Sequence, residues 1–265
     1  MKKIALKFFK TIALIYILIC GILYFFQEKL IFQPQKLNKN FKFQFNQNFE
    51  EQNYKTSDGK LLNGLLFKSE NSKGLVFYLH GNAGNLSSWG FVAKTYTDLN
   101  YDVFILDYRG YGKSEGKIKN QKQLFDDVQM VYNKLKKEYQ ENKIIVLGYS
   151  IGTGMASKLA SENNPKLLIL QAPYYSLTDL MNHTISIIPN FILKYKLENN
   201  KYLKDCNMPV ILFHGKEDNV IYHESSIKLK EECKNVQQLI LLERLGHNGM
   251  TDDPNYKIEI EKILQ

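Results

Sequence analysis

The sequence predicts an α/β fold with a mostly parallel central sheet, helices on both faces of that sheet and a hydrophobic helix in front of the domain. Three observations lead to this prediction. Short apolar runs alternate with helix-length segments from residue 75 onward. Glycine, serine, aspartate and histidine gather where these runs end. The amino-terminal segment contains a long run without charge. Alternation of this kind is typical of a parallel sheet that is covered on both faces.

Residues 1–32 are typical of a membrane anchor or signal anchor. Four lysines precede an uncharged run from Thr11 to Phe26, and no small-residue cleavage site follows it. A helix of that length reaches only about 24 Å against about 30 Å of hydrocarbon, so flanking apolar residues and snorkelling lysines must complete the span. We expect an uncleaved single-pass anchor; a cleaved signal peptide and a buried core helix are the alternatives. Lysines also follow the run, and their balance only slightly favours an extracytoplasmic domain.

Residues 33–48 are a polar stem in which phenylalanines recur, and we expect the stem to pack on the domain edge. The domain is expected to cover residues 49–265, because that length can bury one large core. It opens with a hairpin, Glu50–Thr56 and Leu61–Lys68, joined by an Asp-Gly turn. Further strands are predicted at 75–79, 103–106, 144–147, 167–170, 210–213 and 239–242. Helices are predicted at 87–99, 121–139, 151–163, 223–233 and 256–264.

Side chains suited to nucleophilic catalysis follow these strands, at the sheet edge where the carboxyl ends of parallel strands meet. A serine hydroxyl attacks only when a base takes its proton, and that base needs a carboxylate to hold its tautomer. The chain order serine, aspartate, histidine predicts Ser150 as nucleophile, Asp218 as the carboxylate and His247 as the base. Glu217 and Asp179 remain open as alternative carboxylates.

Ser150 stands between Gly148 and Gly152 in "GYSIG", which is typical of a nucleophile elbow between a strand and a helix. The glycines allow the sharp turn, since a side chain has no room where strand and helix nearly touch. The backbone N–H groups of Ile151 and Asn82 are assigned to the oxyanion hole. Each is expected to stabilise the transition state by about 3 kcal/mol.

Five motifs carry a resemblance to a known family. The segments "HGNAGN", "DYRGYGKSEG", "GYSIGTG", "HGKED" and "GHN" follow in this order behind a hydrophobic span and "FQP". Together they resemble the membrane-anchored serine hydrolase branch of the α/β-hydrolase superfamily, over about residues 30–265. That branch includes serine aminopeptidase-like bacterial hydrolases and depalmitoylase-like esterases. The resemblance implies the α/β-hydrolase fold and a serine hydrolase that acts through an acyl-enzyme. It also favours Asp218 over Glu217 and leaves the acyl group open.

The insertion at about residues 172–205 is long enough to form a short cap with an apolar side. We assign Tyr149, Tyr174 and Tyr175 to substrate binding; the alternative is that the cap's apolar residues only pack on the sheet. A small acyl or lipid-derived substrate is expected, and hydrolysis of carboxylic esters or thioesters is the first choice. A peptidase or amidase of the serine aminopeptidase type and a membrane-tethered module without catalysis are the alternatives.

Charge and cysteine content exclude other classes of function. The net charge is +8, but arginine occurs only at Arg109 and Arg244, so a diffuse basic face is expected rather than nucleic-acid binding. No metal or other cofactor is expected, because no histidine has a cysteine or carboxylate at ligand spacing. The "GKS" within "DYRGYGKSEG" lacks the first glycine of a phosphate loop. The sequence leaves open whether Cys206 and Cys233 pair.

Overall fold

An eight-stranded sheet runs through the domain in the computed structural model, which describes residues 2–265. Its strands are β1 Phe49–Lys55, β2 Leu61–Phe67, β3 Leu75–Leu79, β4 Asp102–Leu106, β5 Ile144–Tyr149, β6 Leu167–Gln171, β7 Val210–Gly215 and β8 Val236–Leu242. Their order in the sheet is β1-β2-β4-β3-β5-β6-β7-β8. Only the β1–β2 and β2–β4 pairs are antiparallel. The predicted mostly parallel sheet is therefore confirmed.

Helices cover both faces of the sheet. They are α1 Lys2–Ile31, α2 Leu86–Trp89, α3 Ala93–Thr97, α4 Gln121–Glu138, α5 Gly152–Ser161, α6 Leu177–Thr184, α7 Asn199–Tyr202, α8 Glu224–Glu232 and α9 Pro254–Leu264. Residues of α4, α5 and α8 share one buried core, and residues of α2, α3 and α9 share the other. Within β3, Leu75 and Phe77 belong to the first core and Val76 and Tyr78 to the second. Alternating side chains of one strand thus fill both layers.

One long helix over residues 87–99 is a wrong prediction. The chain forms the short helices α2 and α3 with a 3-10 turn, Gly90–Val92, between them. The turn lies where the stem reaches the domain: a Cβ at Gly90 would stand 2.3 Å from the Phe45 ring. Glycine is a poor helix former, and the packing of this ring on its bare backbone favours a bend at that point.

The amino-terminal helix α1 is the one helix of the described residues that is long and apolar enough to cross a membrane. The best 18-residue window has a mean hydropathy of 2.2, and none of it is buried in the protein. After α1 the chain passes directly over the carboxyl edge of the sheet. There Gln33–Pro34 pairs in parallel with Ala83–Gly84, and the stem ring of Phe45 packs on Phe67 at 5.2 Å.

The segment after β6 forms a cap that contains α6, α7 and two 3-10 turns. The cap lies between α1 and the loop that precedes α8. Gln27 of α1 donates to the Ile192 carbonyl at 3.1 Å, and on the other side Tyr222 donates a hydrogen bond to Asp179. The cap is therefore joined both to the hydrophobic helix and to the domain.

The cysteines are free thiols in the structure, which answers the pairing question that the sequence left open. Cys206 and Cys233 are both buried. Burial raises the pKa of the Cys206 thiol to about 12. Because the thiolate is the reactive form, this cysteine is chemically inert at neutral pH.

Candidate active site

The turn that follows β5 holds Ser150 in an unusual backbone conformation. Its φ is +52°, in the left-handed region that non-glycine residues seldom adopt. The flanking glycines have no room for side chains. A Cβ at Gly148 would lie 2.6 Å from the Gly152 carbonyl oxygen, and one at Gly152 would lie 2.0 Å from that of Leu79. The turn is thus strained and tightly enclosed, which is common at functional sites.

Ser150, His247 and Asp218 form one hydrogen-bonded path across three strand ends. The Ser150 Oγ lies 3.0 Å from His247 Nε2, and His247 Nδ1 lies 2.7 Å from Asp218 Oδ2. A carboxylate only accepts hydrogen bonds, so the Nδ1 atom carries the proton and donates a hydrogen bond to Asp218. The Nε2 atom is then left as an acceptor for the serine hydroxyl, which is the arrangement that can activate it.

Asp218 is stabilised as an anion from several directions. Burial opposes its ionisation, but hydrogen bonds from His214, His247 and the Ile221 N–H outweigh burial and hold the pKa of Asp218 below its usual range. Its Oδ1 accepts from the N–H groups of Val220 and Ile221, both at 2.9 Å. A fixed anion of this kind stabilises a protonated His247.

The two alternative carboxylates lie elsewhere. Glu217 is exposed to solvent next to Asp218 in sequence. Asp179, on α6, accepts from Tyr222 and stands 3.4 Å from the Lys228 ammonium. Of the three candidates, the structure brings Asp218 to His247.

The N–H groups of Asn82 and Ile151 lie beside the serine turn, on neighbouring strand ends. Leu79 of β3 pairs with Gly148 of β5, so the two loops leave the sheet at the same level. A Cβ at Gly152 would also stand 2.8 Å from the His80 carbonyl oxygen, which shows how closely the loops meet. Within residues 2–265, neither amide donates a hydrogen bond to a protein acceptor. Both are therefore free to donate to a substrate oxygen.

A second buried histidine and aspartate underlie the Asn82 loop. His80 Nδ1 lies 2.8 Å from the Gly81 carbonyl oxygen, and His80 Nε2 lies 3.3 Å from Asp107 Oδ1. Asp107 also accepts from the Leu86 N–H at 3.1 Å. The carbonyl of Gly81 and the N–H of Asn82 belong to one peptide unit, so His80 holds the orientation of that amide.

Arg109 also orders the loops around the site. Its guanidinium, which is buried, bonds Asp127 at 2.5 Å through Nε and Asp58 at 2.8 Å through Nη1. These charge-assisted bonds tie the loop after β4 to helix α4 and to the hairpin turn.

A cleft of about 430 Å³ opens beside the serine turn. Tyr149 lines it, and the Tyr149 hydroxyl donates to the His247 carbonyl oxygen. The remaining lining mixes apolar, amide and hydroxyl side chains with one carboxylate: Gln35, Ala83, Gly84, Ser88, Trp89, Val92, Asn248, Gly249, Met250, Thr251 and Asp252. Gln35 and Trp89 are contacts that sequence reasoning missed, because residues of the stem and of α2 gave no catalytic signal.

The other two tyrosines assigned to substrate binding lie away from this cleft. Tyr174 is 1% exposed, and its hydroxyl donates to the Ile151 carbonyl at 3.3 Å. A Cβ at Gly154 would stand 2.2 Å from that hydroxyl, so Tyr174 fits closely under α5. The Tyr175 hydroxyl donates to Glu232 of α8 at 2.7 Å. The structure thus places Tyr174 as a support of the serine turn and Tyr175 as a link between the cap and α8.

Comparisons with known proteins identify the relatives of this chain. A family model described as serine aminopeptidase, S33, matches residues 70–202. Protein bem46 of Schizosaccharomyces pombe is 30% identical over 218 residues, which are 76% of this chain and 73% of that protein. The uncharacterized protein YfhR of Escherichia coli (strain K12) is 29% identical over 228 residues, covering 81% of this chain and 79% of YfhR.

Among solved structures, the Pyrococcus furiosus esterase PF2001 is similar in fold. Its TM-score is 0.70 at 19% sequence identity, over 87% of this chain and 95% of that chain. At such low identity the similarity shows the fold alone.

Proposed function

This chain belongs to the α/β-hydrolase superfamily, and from that premise we propose that it hydrolyses carboxylic esters or thioesters through an acyl-enzyme on Ser150. The observation that carries the proposal is the path from Ser150 Oγ through His247 to Asp218, at 3.0 and 2.7 Å. The path brings a hydroxyl, an imidazole and a carboxylate into contact, and the neighbours Tyr149 and Asn248 line a cleft large enough for an acyl substrate.

In the first step, His247 Nε2 takes the hydroxyl proton while Ser150 Oγ bonds to the substrate carbonyl carbon. The carbonyl oxygen becomes an oxyanion, and the N–H groups of Asn82 and Ile151 donate to it. Each such donor stabilises the transition state by about 3 kcal/mol. Asp218 remains ionised and stabilises the imidazolium that forms.

In the second step, the imidazolium of His247 gives its proton to the leaving alcohol or thiol, and the carbon–oxygen or carbon–sulfur bond breaks. The acyl group remains on Ser150. Water then loses a proton to His247, adds to the acyl carbon and releases the acid, while the proton returns to Ser150 Oγ. Apart from the substrate and one water molecule, the steps need no co-reactant, because Ser150 and His247 return to their starting forms.

The domain acts at a membrane surface in this proposal. Helix α1 is retained as a single-pass anchor, and the domain lies on the extracytoplasmic side. The apolar window of α1, none of which is buried in the protein, supports the anchor, because such a surface is unstable in water. A tethered domain meets lipid-derived and acylated substrates, which accords with ester or thioester hydrolysis.

A peptidase is the second candidate. The family model is described as serine aminopeptidase, and one carboxylate, Asp252, lines the cleft. An anion in the cleft would pair with a substrate's free ammonium group. Asp252 is exposed to solvent, however, where an ion pair contributes little to binding.

The test is a substrate series on the full chain in detergent. The p-nitrophenyl esters from acetate to laurate, and matching acyl thioesters, are compared with aminoacyl p-nitroanilides for the wild type and for Ser150→Ala. We expect ester or thioester turnover that Ser150→Ala abolishes. Faster cleavage of the anilides would favour the peptidase. Equal turnover by the two proteins would reject Ser150 as the nucleophile. Absence of turnover by the wild type on every substrate of the series would instead favour a binding module on this fold.

A further inference from the structure

The cap ends in an apolar tip, residues 184–193, that faces outward. Its ten residues carry no charge, and His183 and Lys194 flank them. Phe191 is 84% exposed, which makes it the most exposed large apolar side chain of the described residues. Ile185 and Ile187 are also exposed. Contiguous apolar exposure of this kind is typical of a surface that another partner covers.

The tip lies along α1, beside its uncharged run. The Tyr16 hydroxyl donates to the Ile187 carbonyl at 2.7 Å, and Gln27 donates to the Ile192 carbonyl at 3.1 Å. Eleven residues of helix separate these two contacts, about 16 Å along the axis. If the run of α1 is in the bilayer, the tip beside it is there too.

Charged groups mark the same boundary on both segments. Glu28 is the first charged residue after the uncharged run of α1, and Lys194 is the first after the tip. Their side chains form an ion pair at 3.1 Å. Gln27 strengthens the junction, since its Oε1 accepts from the Lys194 N–H at 2.8 Å. The two uncharged segments therefore end at one level, as expected where both leave the hydrocarbon for the interface.

An apolar groove of about 260 Å³ separates α1 from the cap. Helix α6 turns one stripe toward it, Leu177, Leu180, Met181 and Thr184, and the tip adds Ile185 and Ile188. From α1 the groove is lined by Leu23, Gln27, Leu30 and Ile31. The amide of Gln27 is already bonded to the cap, so no unpaired polar side chain of the described residues enters the lining.

From these contacts we infer that the apolar tip is a second membrane-binding element: it enters the bilayer beside α1, and an acyl chain of a bilayer phospholipid occupies the groove. This rests on the proposed anchoring by α1. Lipid is identified as the partner because the tip lies beside the uncharged run of α1, and both segments end at the Glu28–Lys194 ion pair. Helix α6 is also joined to the loop after Asp218 by the hydrogen bond from Tyr222 to Asp179.

Bromolipid quenching tests the inference on the full chain in phosphatidylcholine vesicles. Three proteins each carry one added tryptophan: Phe191→Trp in the tip, Ile17→Trp in α1 and Ile258→Trp on α9. All three positions are exposed, so the substitutions leave the core unchanged. The emission of native Trp89 is subtracted with the wild type. Phosphatidylcholine brominated in the middle of the acyl chain should remove most of the added emission at positions 17 and 191, and none at 258.

The outcomes separate the tip from the anchor and from catalysis. Quenching at 17 without quenching at 191 overturns the inference and leaves the anchor. Absence of quenching at both 17 and 191 overturns the proposed anchoring by α1 and the insertion of the tip together. Ester turnover, measured on the same vesicles, reports separately on the proposed function. If Phe191→Cys instead cross-links two copies of the chain, a second copy covers the tip and the lipid inference is wrong.

Discussion

The His247–Asp218 and His80–Asp107 pairs at the carboxyl edge of the sheet differ in what the other histidine nitrogen meets: a serine hydroxyl for His247 and a backbone carbonyl for His80. His247 contacts Asp218 at 2.7 Å and Ser150 at 3.0 Å. His80 lies 3.3 Å from Asp107, while its other nitrogen meets a backbone carbonyl at 2.8 Å. The same two residue types thus occur at one edge of the sheet with different hydrogen-bond partners.

Exposure and hydrogen bonding separate the pairs. The His247 side chain is 10% exposed, whereas those of His80 and Asp107 are fully buried. Asp218 is held as an anion, but burial raises the pKa of Asp107 despite its contact with His80. A histidine–aspartate pair alone is therefore not enough for proton transfer, which also needs a reachable nucleophile and a stabilised anion. We assign the His247 pair to proton transfer and the His80 pair to positioning of the Asn82 amide.

Removal of the hydroxyl should have the largest effect. Ser150→Ala is expected to lower kcat on a p-nitrophenyl ester by about 10⁴-fold or more, since no other group takes over the attack. Steady-state and burst kinetics measure the loss. Far-UV circular dichroism and thermal unfolding should match the wild type. A variant that is folded and retains its burst would show that the serine is not the nucleophile.

Replacement of the anion tests the first pair. Asp218→Asn is expected to lower kcat by about 10⁴-fold, because the amide favours the wrong imidazole tautomer. The matched control is Glu217→Gln, its exposed neighbour, which should retain wild-type kcat. The assignment of Asp218 fails if the control loses as much activity as Asp218→Asn.

Replacement in the second pair should have a smaller effect. His80→Gln is expected to lower kcat by roughly tenfold to a hundredfold with little change in KM, because a misaligned Asn82 amide weakens only the transition state. Exposed His183, replaced by glutamine, is the control and should have wild-type kinetics. A rise in KM at constant kcat would assign His80 to ground-state binding instead.

The two carboxylates should affect stability with opposite dependence on pH. Asp218 has a lowered pKa, so its contribution is present above the usual carboxyl range near pH 4 and is lost as pH falls below it. Asp107 has a raised pKa, so ionising it costs stability as pH rises through and above that range. Urea unfolding in detergent measures the effect for wild type, Asp218→Asn and Asp107→Asn. From pH 3 to pH 6, the free energy of unfolding of the wild type should rise relative to that of Asp218→Asn. Over the same range it should fall relative to that of Asp107→Asn. If both differences in unfolding free energy changed with pH in the same direction, the assignment of opposite pKa shifts to Asp218 and Asp107 would be contradicted.

The strands and the Ser150 path were predictable because they depend on local patterns. A buried parallel strand shows as a short apolar run, and β3 has the predicted bounds. Ser150, Asp218 and His247 each follow such a run, and the topology of a parallel sheet brings those ends together. The hydrogen-bonded path then needs little beyond the order of the strands.

Contacts between distant segments were not predictable. The pairing of Gln33–Pro34 with Ala83–Gly84 uses backbone groups, so its side chains leave no pattern. The bond from His80 to Gly81 depends on the path of the chain after β3. The apolar residues of the cap suggested one wall of an acyl-binding pocket. The direction that they face is set by their contact with α1, which is distant in sequence. Tyr174 was mistaken for a cleft residue because an aromatic side chain gives the same sequence signal when it packs under a helix.

Labelling with a fluorophosphonate tests the central claim most directly. The full chain in detergent is treated with the reagent, digested and analysed by mass spectrometry, with Ser150→Ala as the matched protein. The account predicts an adduct on the peptide that contains Ser150 in the wild type and no adduct in the variant. Equal labelling of both proteins, or an adduct on another serine, would contradict it.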